Sequence, residues 1–315
     1  MMKGFNPKFK DFPDYILGIT KEIWEERQLH SLHHYYAPDI VVRTPLAVSQ
    51  GNVDVINATM GVLAEFPDRV LLGEDVIWSG DPEYGMYSSH RILSTATQLE
   101  TGKKVQFRII ADCHAINDQI NDEWMIRDHG AIAKHLGKTA KEQAAYVIEQ
   151  AGGGEQCPRP FTREQDIQGP YHGVGNDSQW GCRYQDILER IMQAEFSVIP
   201  REYDRACIAE YPSEVQAHSH AEIDSFWMRL RSAFPNAEFK IHHRIGRDDP
   251  MMPPRAAIRW TLEGKHEGPG MFGAPTGADV YIMGAAHAEF GPWGLRREYV
   301  LFDEVAIWQQ ILLSR

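Results

Sequence analysis

The sequence predicts an α+β protein built from two copies of one domain, in which helices come first and a curved, mostly antiparallel sheet follows. The chain has 315 residues, which is about twice the usual size of a domain. Apolar residues at helical spacing and strand-like alternating runs follow one another in the same order in both halves. Landmark residues recur at a nearly constant distance, which indicates an internal repeat.

The helical part of the repeat has a long segment and a shorter one in each half. The long segments begin near Tyr15 and Tyr184, where apolar residues recur at helical spacing. The shorter segments are VINATMGVLAEFPD and EIDSFWMRLRSAFPN. Both end in Phe-Pro, and Phe234 lies 168 positions after Phe66. Because proline cannot continue a helix, the two pairs mark the same helix end.

Three further landmarks follow in the strand-like runs of each half. They are Arg91, His114 and Asp128 in the first half and Arg259, His287 and Asp303 in the second. Their offset grows from 168 to 173 to 175 positions, which places five extra residues around HEGPGMFGAPTG and two in the FGPWG turn. Insertions belong in turns, so this drift supports a tandem duplication.

The repeat predicts a domain at 1–150, a Gly/Pro-rich linker at 151–181 and a second domain at 182–315. A linker this long either lies across the surface, where it can cover the mouth of a pocket, or is disordered. We expect the two halves to pack through their sheets as a pseudo-dimer within the chain. Two chains could then associate in turn as a homodimer.

Composition narrows the range of partners. A net charge of −12 and the absence of a Lys/Arg run argue against nucleic acid. No apolar run approaches the roughly 20 residues that a membrane span needs, and the start of the chain lacks the apolar core of a secretion signal. We therefore expect a cytoplasmic protein. The four cysteines are scattered singly, which argues against a zinc ribbon or a disulfide framework.

The histidine and aspartate of each half are candidates for acid–base catalysis. If the last two strands of a half pair through their turn, His114 and Asp128 come from neighbouring strands and can share a face, as can His287 and Asp303. Trp124 has the parity of Asp128, so the face is largely apolar, and burial there would raise the pKa of the carboxyl. The alternative is structural, because an aspartate between a strand and a helix is also a good N-cap.

A glycine-rich segment of the second half carries a family resemblance. The run from Arg259 to Gly268, RWTLEGKHEG, with GAPTG at 273–277, resembles a segment of the SnoaL-like polyketide cyclases of the NTF2-like superfamily. The opening YYAPDIVVRTP and the ending EWMIRDHGAIAKHLG of the first half are similar to that family too. The first half lacks the glycine-rich segment, and the last helix of the second half lacks the glycine of the family.

The resemblance implies two tandem cone-shaped barrels, each with a curved sheet that encloses an apolar pocket. It implies an intramolecular aldol cyclisation, or a related isomerisation or dehydration, of a hydrophobic, oxygenated small molecule. Asp128 would be the acid/base and His114 its helper, with Asp303 and His287 as their counterparts. The family needs no metal and no organic cofactor. We expect the first half to be the active one.

Five further residues are candidates for substrate binding. They are Arg91, Trp124, Arg259, Trp260 and Tyr281. Each also has a structural interpretation: the arginines can form buried ion pairs, and the tryptophans can belong to a core or a pocket wall. With no matched third or fourth ligand near any pair of histidines, we predict no metal site.

Two other functions compete with the cyclase interpretation. A non-catalytic binding or assembly module is the main alternative, because one fold serves many functions. It would show both aspartates accepting backbone N–H bonds, with no cavity beside them. An epoxide hydrolase is the third candidate, and it would need two carboxylates and an arginine around one water.

Overall fold

The computed structural model describes residues 2–314 and contains the same series of elements in both halves, apart from a final helix at Ala140–Gln150 that only the first half has. The first half contains α1 (Phe12–Thr20), α2 (Leu32–Tyr35), β1 (Tyr36–Arg43), β2 (Val48–Gln50), α3 (Asn52–Glu65), β3 (Val70–Asp81), β4 (Gly85–Thr97), β5 (Lys104–Ile116), β6 (Gln119–Arg127), α4 (His129–Leu136) and α5 (Ala140–Gln150). The second half contains α6 (Gln179–Met192), α7 (Ile199–Glu202), β7 (Tyr203–Tyr211), β8 (Val215–His218), α8 (Ser219–Ala233), β9 (Glu238–Arg247), β10 (Arg255–Lys265), β11 (Asp279–Gly291), β12 (Gly294–Phe302) and α9 (Glu304–Leu313).

Each half has one six-stranded sheet, and the two sheets have the same topology. The strand order is β2-β1-β6-β5-β4-β3 in the first half and β8-β7-β12-β11-β10-β9 in the second. β1 pairs with β6 in parallel, as β7 does with β12, and the other neighbours are antiparallel. The predicted α+β fold of two tandem NTF2-like barrels is thereby confirmed. Among the described residues, no helix is long and apolar enough to cross a bilayer.

The strand registers correct the alignment of the two halves. Both hairpins turn through two residues, 117–118 and 292–293, so the FGPWG turn holds no insertion. The loop between β10 and β11 spans 266–278, whereas the loop between β4 and β5 spans only 98–103. The longer loop of the second half therefore contains all the residues by which the offset grows. The strands β5 and β11 are thus related by 175 positions. His114 corresponds to Glu289, and His287 corresponds to Asp112, so the two histidines are not equivalent.

The halves pack through their sheets, as the sequence predicts. Side chains on the outer face of one sheet meet those of the other in an apolar cluster that contains Ile110, Ile126, Met283, Ala285 and Leu301. Residues 151–178 run along this junction. Phe161 belongs to the same apolar cluster, and the ring of Tyr171 lies 4.7 Å from that of Tyr87. The segment that the sequence predicts to be a linker is therefore packed against both halves. The division into 1–150, 151–181 and 182–315 stays a prediction.

Candidate active site

The predicted catalytic aspartate of the first half lies on the outer face of its sheet, at the junction between the halves. Asp128 caps α4 by accepting a hydrogen bond from the backbone N–H of Ala131, at 2.9 Å. It also accepts one from the N–H of Ser213 in the second half, at 2.9 Å. Burial raises the pKa of Asp128 to about 7. The structure gives this residue the N-cap geometry that the sequence leaves open as the alternative.

The predicted helper, His114, shares that face but is far from Asp128. The backbone N–H of Asp128 bonds the carbonyl of Arg108, which is six residues from His114 along β5. Six residues of strand span about 20 Å, which is beyond any direct contact. His114 instead forms a 2.7 Å hydrogen bond with Asn121 and stacks on Tyr171.

The corresponding pair of the second half is not brought together either. Asp303 caps α9 through the N–H of Val305 and lies 2.6 Å from Nδ1 of His129 in the first half. His287 forms hydrogen bonds with Ser89 and Arg91 across the junction, at 2.8 and 3.1 Å. Burial lowers the pKa of His287 well below its usual value, and the neighbouring arginine adds to that shift.

The two arginines predicted to bind substrate are buried in the junction. The guanidinium of Arg91 pairs with Glu74 at 2.9 Å and lies 3.5 Å from the centre of the Tyr299 ring. The guanidinium of Arg259 lies 3.3 Å from Asp112 and 3.8 Å from the centre of a tryptophan ring. Both arginines therefore have the structural ion-pair geometry that the sequence also allowed.

Two of the three aromatic candidates also lie at the junction. Trp124 is the tryptophan against which Arg259 lies, and Tyr281 packs edge-on against Phe161 at the junction. Trp260 is fully buried in the interior of the second half. None of the nine side chains predicted as catalytic or substrate-binding faces the cavity of the first half.

The cavity lies on the inner face of the first sheet, and it has a volume of about 360 Å³. Apolar side chains of α1 and α3 form one wall, and strands β4, β5 and β6 form the other. Three rows cross those strands on the cavity face: Ser88–Cys113–Glu123, His90–Ala111–Met125 and Ile92–Ile109–Arg127. Successive rows are about 7 Å apart, so Glu123 and Arg127 are separated by about 13 Å.

Glu123 is the buried carboxyl group of this cavity. Its side chain is 6% exposed, and burial raises its pKa from the ordinary 4.5 to about 7, against an opposing effect of the nearby Tyr36 hydroxyl. At neutral pH such a carboxyl is close to half ionised, which is the condition for taking up and returning a proton. The sequence signal was present, because Glu123 and Glu298 each precede the landmark aspartate by five residues.

His90 faces the same cavity from β4. Burial lowers its pKa to about 4, so the imidazole is neutral at physiological pH. One ring nitrogen, Nδ1, lies 3.2 Å from the hydroxyl of Ser88. A neutral imidazole held in this way can hydrogen-bond a ligand oxygen through its other nitrogen.

Two arginines, Arg69 and Arg127, line the opposite end of the cavity. Arg69 is 6% exposed and donates a 3.0 Å hydrogen bond to Ser94, two residues beyond Ile92 on β4. Burial and the neighbouring guanidinium lower the pKa of Arg69 to about 9. Among residues 2–314, no cluster of three or more His, Cys, Asp or Glu side chains is arranged to bind a metal ion.

Comparison with known proteins finds a family match within the first half. Residues 15–136 match the family model of the SnoaL-like polyketide cyclases. The match covers less than half of the chain, and the first half, which contains it, is called the SnoaL-like domain below. No curated protein matches the chain.

Solved structures that are similar to part of this chain include three proteins. IdmH of Streptomyces antibioticus, a candidate polyketide cyclase, is 20% identical over 40% of this chain and 97% of its own, with a TM-score of 0.35. A candidate SnoaL-like polyketide cyclase of Jannaschia sp. CCS1 is 13% identical over 43% and 96%, with a TM-score of 0.36. A candidate polyketide cyclase of Bacillus cereus ATCC 10987 is 10% identical over 46% and 93%, with a TM-score of 0.37. Values this low support no inference about function.

The interior of the second half is filled where that of the SnoaL-like domain is open. Counting back from the helix ends Phe66 and Phe234, Ala58 and Thr59 of α3 correspond to Phe226 and Trp227 of α8. Ala58 and Thr59 line the cavity, whereas Trp227 is fully buried in the second core. The difference in side-chain size therefore accounts for an open barrel in one half and a packed one in the other.

In the second half, the buried glutamate that corresponds to Glu123 is Glu298, and it is hydrogen-bonded by tyrosine side chains. Glu298 accepts hydrogen bonds from the hydroxyls of Tyr184, Tyr203 and Tyr211, at 2.7–2.9 Å. Its oxygens are thus occupied by protein donors. Tyr211 corresponds to Thr44 of the SnoaL-like domain, whose shorter side chain lines the open cavity. Of these two corresponding glutamates, Glu123 is the one that faces a cavity.

Proposed function

We propose that the chain is a cofactor-independent enzyme that moves protons on a hydrophobic, oxygenated small molecule in the cavity of the SnoaL-like domain. The reaction is an aldol-type cyclisation or a related isomerisation or dehydration. The observation that carries the proposal is Glu123, a buried carboxyl with a pKa of about 7 on the wall of an apolar cavity.

The chemistry needs a base for a proton alpha to a carbonyl and a donor for the oxygen that becomes negative. Ionised Glu123 is the base, and after the transfer the protonated carboxyl can return the proton to carbon or oxygen. Neutral His90 is a hydrogen-bond donor for the enolate oxygen. Apolar walls exclude water and hold a flexible substrate folded, which favours an intramolecular reaction.

A simple ketone tests the proton transfer by Glu123 without the natural substrate. 2-Tetralone is an apolar ketone, and the exchange of its alpha hydrogens in deuterium oxide can be followed by NMR. We expect the protein to accelerate the exchange, with a rate that rises with pH around 7 as the glutamate ionises. Glu123→Gln should remove the acceleration.

Asp128→Asn is the matched comparison, because it removes a second buried carboxyl whose pKa is also about 7. Catalysis by Asp128 with His114, or by Asp303 with His287, remains a prediction from the sequence. If Asp128→Asn abolishes exchange and Glu123→Gln does not, the assignment to Glu123 is wrong and the sequence prediction is supported.

A binding or assembly module is the second candidate, and one observation favours it. Asp128 and Asp303 both accept backbone N–H bonds, as that alternative requires. Under this interpretation the cavity holds a ligand without changing it. Tight binding of a small apolar molecule with no acceleration of tetralone exchange at any pH from 5 to 9 would support the module over the enzyme.

A further inference from the structure

Arg69, which is buried, and Arg127, which is partly buried, differ from the other arginines inside the described chain. Four arginines that are at least nine-tenths buried each lie within 4 Å of a carboxylate: Arg43 with Asp122, Arg91 with Glu74, Arg255 with Asp75, and Arg259 with Asp112. Among residues 2–314, neither Arg69 nor Arg127 has such a partner. Arg69 bonds one serine, and Nε of Arg127 is buried without a hydrogen bond.

The nearest carboxylates are engaged elsewhere. Glu65 and Asp303 attract Arg127 without reaching ion-pair distance. Glu65 accepts a 2.9 Å hydrogen bond from Gln98, and Asp303 lies 2.6 Å from His129. A buried positive charge without a counter-ion is costly, and two of them close together repel each other. An anion between the two guanidiniums would relieve both costs.

The location of the two arginines suits a ligand rather than a structural ion. Arg127 lines the cavity and also a neighbouring cavity of about 490 Å³, which is bounded by α4, α5, α9 and residues 157–160. It thus lies where the two spaces meet. Glu123 is on the same face of β6, about 13 Å deeper.

We infer that the ligand of this cavity is an apolar molecule with a carboxylate, and that Arg69 and Arg127 bind the carboxylate while the apolar body extends towards Glu123. This inference rests on the proposed function in one respect only: both place the ligand in the same cavity. Guanidinium groups match carboxylate geometry through paired N–H donors, and in an apolar setting such bonds are strong.

A pair of matched probes tests the inference by isothermal titration calorimetry. 2-Naphthoate and 2-naphthamide have nearly the same shape, and the first carries the charge. At pH 8 we expect the protein to bind the naphthoate at least about tenfold more tightly than the amide. We expect Arg127→Met to bring the two affinities within about twofold of each other, and Arg127→Lys to keep part of the preference.

The methionine variant is expected to fold, because the second half has Phe302 at the position that corresponds to Arg127. Its thermal unfolding temperature should equal or exceed that of the parent, since the substitution removes a partly buried charge that has no ion-pair partner among the described residues. Arg205→Met, the same substitution at an exposed position of β7, is the control and should keep the preference for naphthoate.

Three results would overturn the inference: equal affinity of the parent protein for the two probes, an undiminished preference in Arg127→Met, or no binding of either probe. Failure here is distinct from failure of the proposed function. Tetralone is neutral, so its exchange reports on Glu123, whereas the naphthoate preference reports on the arginines.

Discussion

Replacing Glu123 with glutamine should stabilise the protein at alkaline pH. The folded state holds the proton of Glu123 more tightly than the unfolded state does, because its pKa rises from 4.5 to about 7 on burial. Stability associated with this group is therefore complete below pH 4.5 and is lost as the pH rises to 7. At about 1.4 kcal/mol for each pH unit, the loss approaches about 3 kcal/mol above pH 7. Glutamine has no charge to bury, so it avoids this loss.

Urea unfolding at pH 5 and pH 8.5 measures the effect. We expect the free energies of unfolding of Glu123→Gln and the parent to be close at pH 5 and to differ by up to about 3 kcal/mol at pH 8.5, with the variant more stable. Glu100→Gln, on an exposed turn, is the control and should show no such divergence. A Glu123→Gln difference that is the same at both pH values would refute the burial argument for this carboxyl.

Three further variants test other parts of the account. Ala58→Phe with Thr59→Trp should fill the cavity as in the second half and abolish 2-naphthamide binding in calorimetry, while the circular dichroism spectrum is kept; retained binding would contradict the assigned cavity. Asp128→Ala should lower the free energy of unfolding by about 1–2 kcal/mol through loss of the helix cap and leave tetralone exchange intact; lost exchange would show that this carboxyl is catalytic. Asp112→Ala should cost about 3–5 kcal/mol, because it leaves Arg259 buried and unpaired at the junction; a loss below 1 kcal/mol in urea unfolding would show that the pair matters little.

The fold could be predicted from the sequence because its signals are local and occur twice. The helix ends at Phe66 and Phe234 and the arginines Arg91 and Arg259 are related by 168 positions in the structure, as in the sequence. The packing of the two sheets was predicted as well. The exact alignment failed at His114 and His287, since a shared residue type does not reveal which loop contains an insertion.

The site could be predicted only in part, because alternation shows which side chains share a face but not which face the barrel encloses. Trp124 and Asp128 do share a face, and that face is buried, but it is buried against the other half. A shift of one residue exchanges the two faces of a strand, so the choice of face decides between Asp128, which the sequence predicts, and Glu123, which we propose. Because the domain is duplicated within one chain, the outer face of each sheet is covered by the sheet of the other half.

Carbon-13 NMR of the labelled side-chain carboxyl of Glu123, with Glu123→Gln used to assign its signal, gives the most direct test. The open cavity of the SnoaL-like domain and its apolar wall predict a titration midpoint near pH 7. A midpoint near the ordinary 4.5 would mean that the carboxyl is solvated and unsuited to the acid–base role assigned to it.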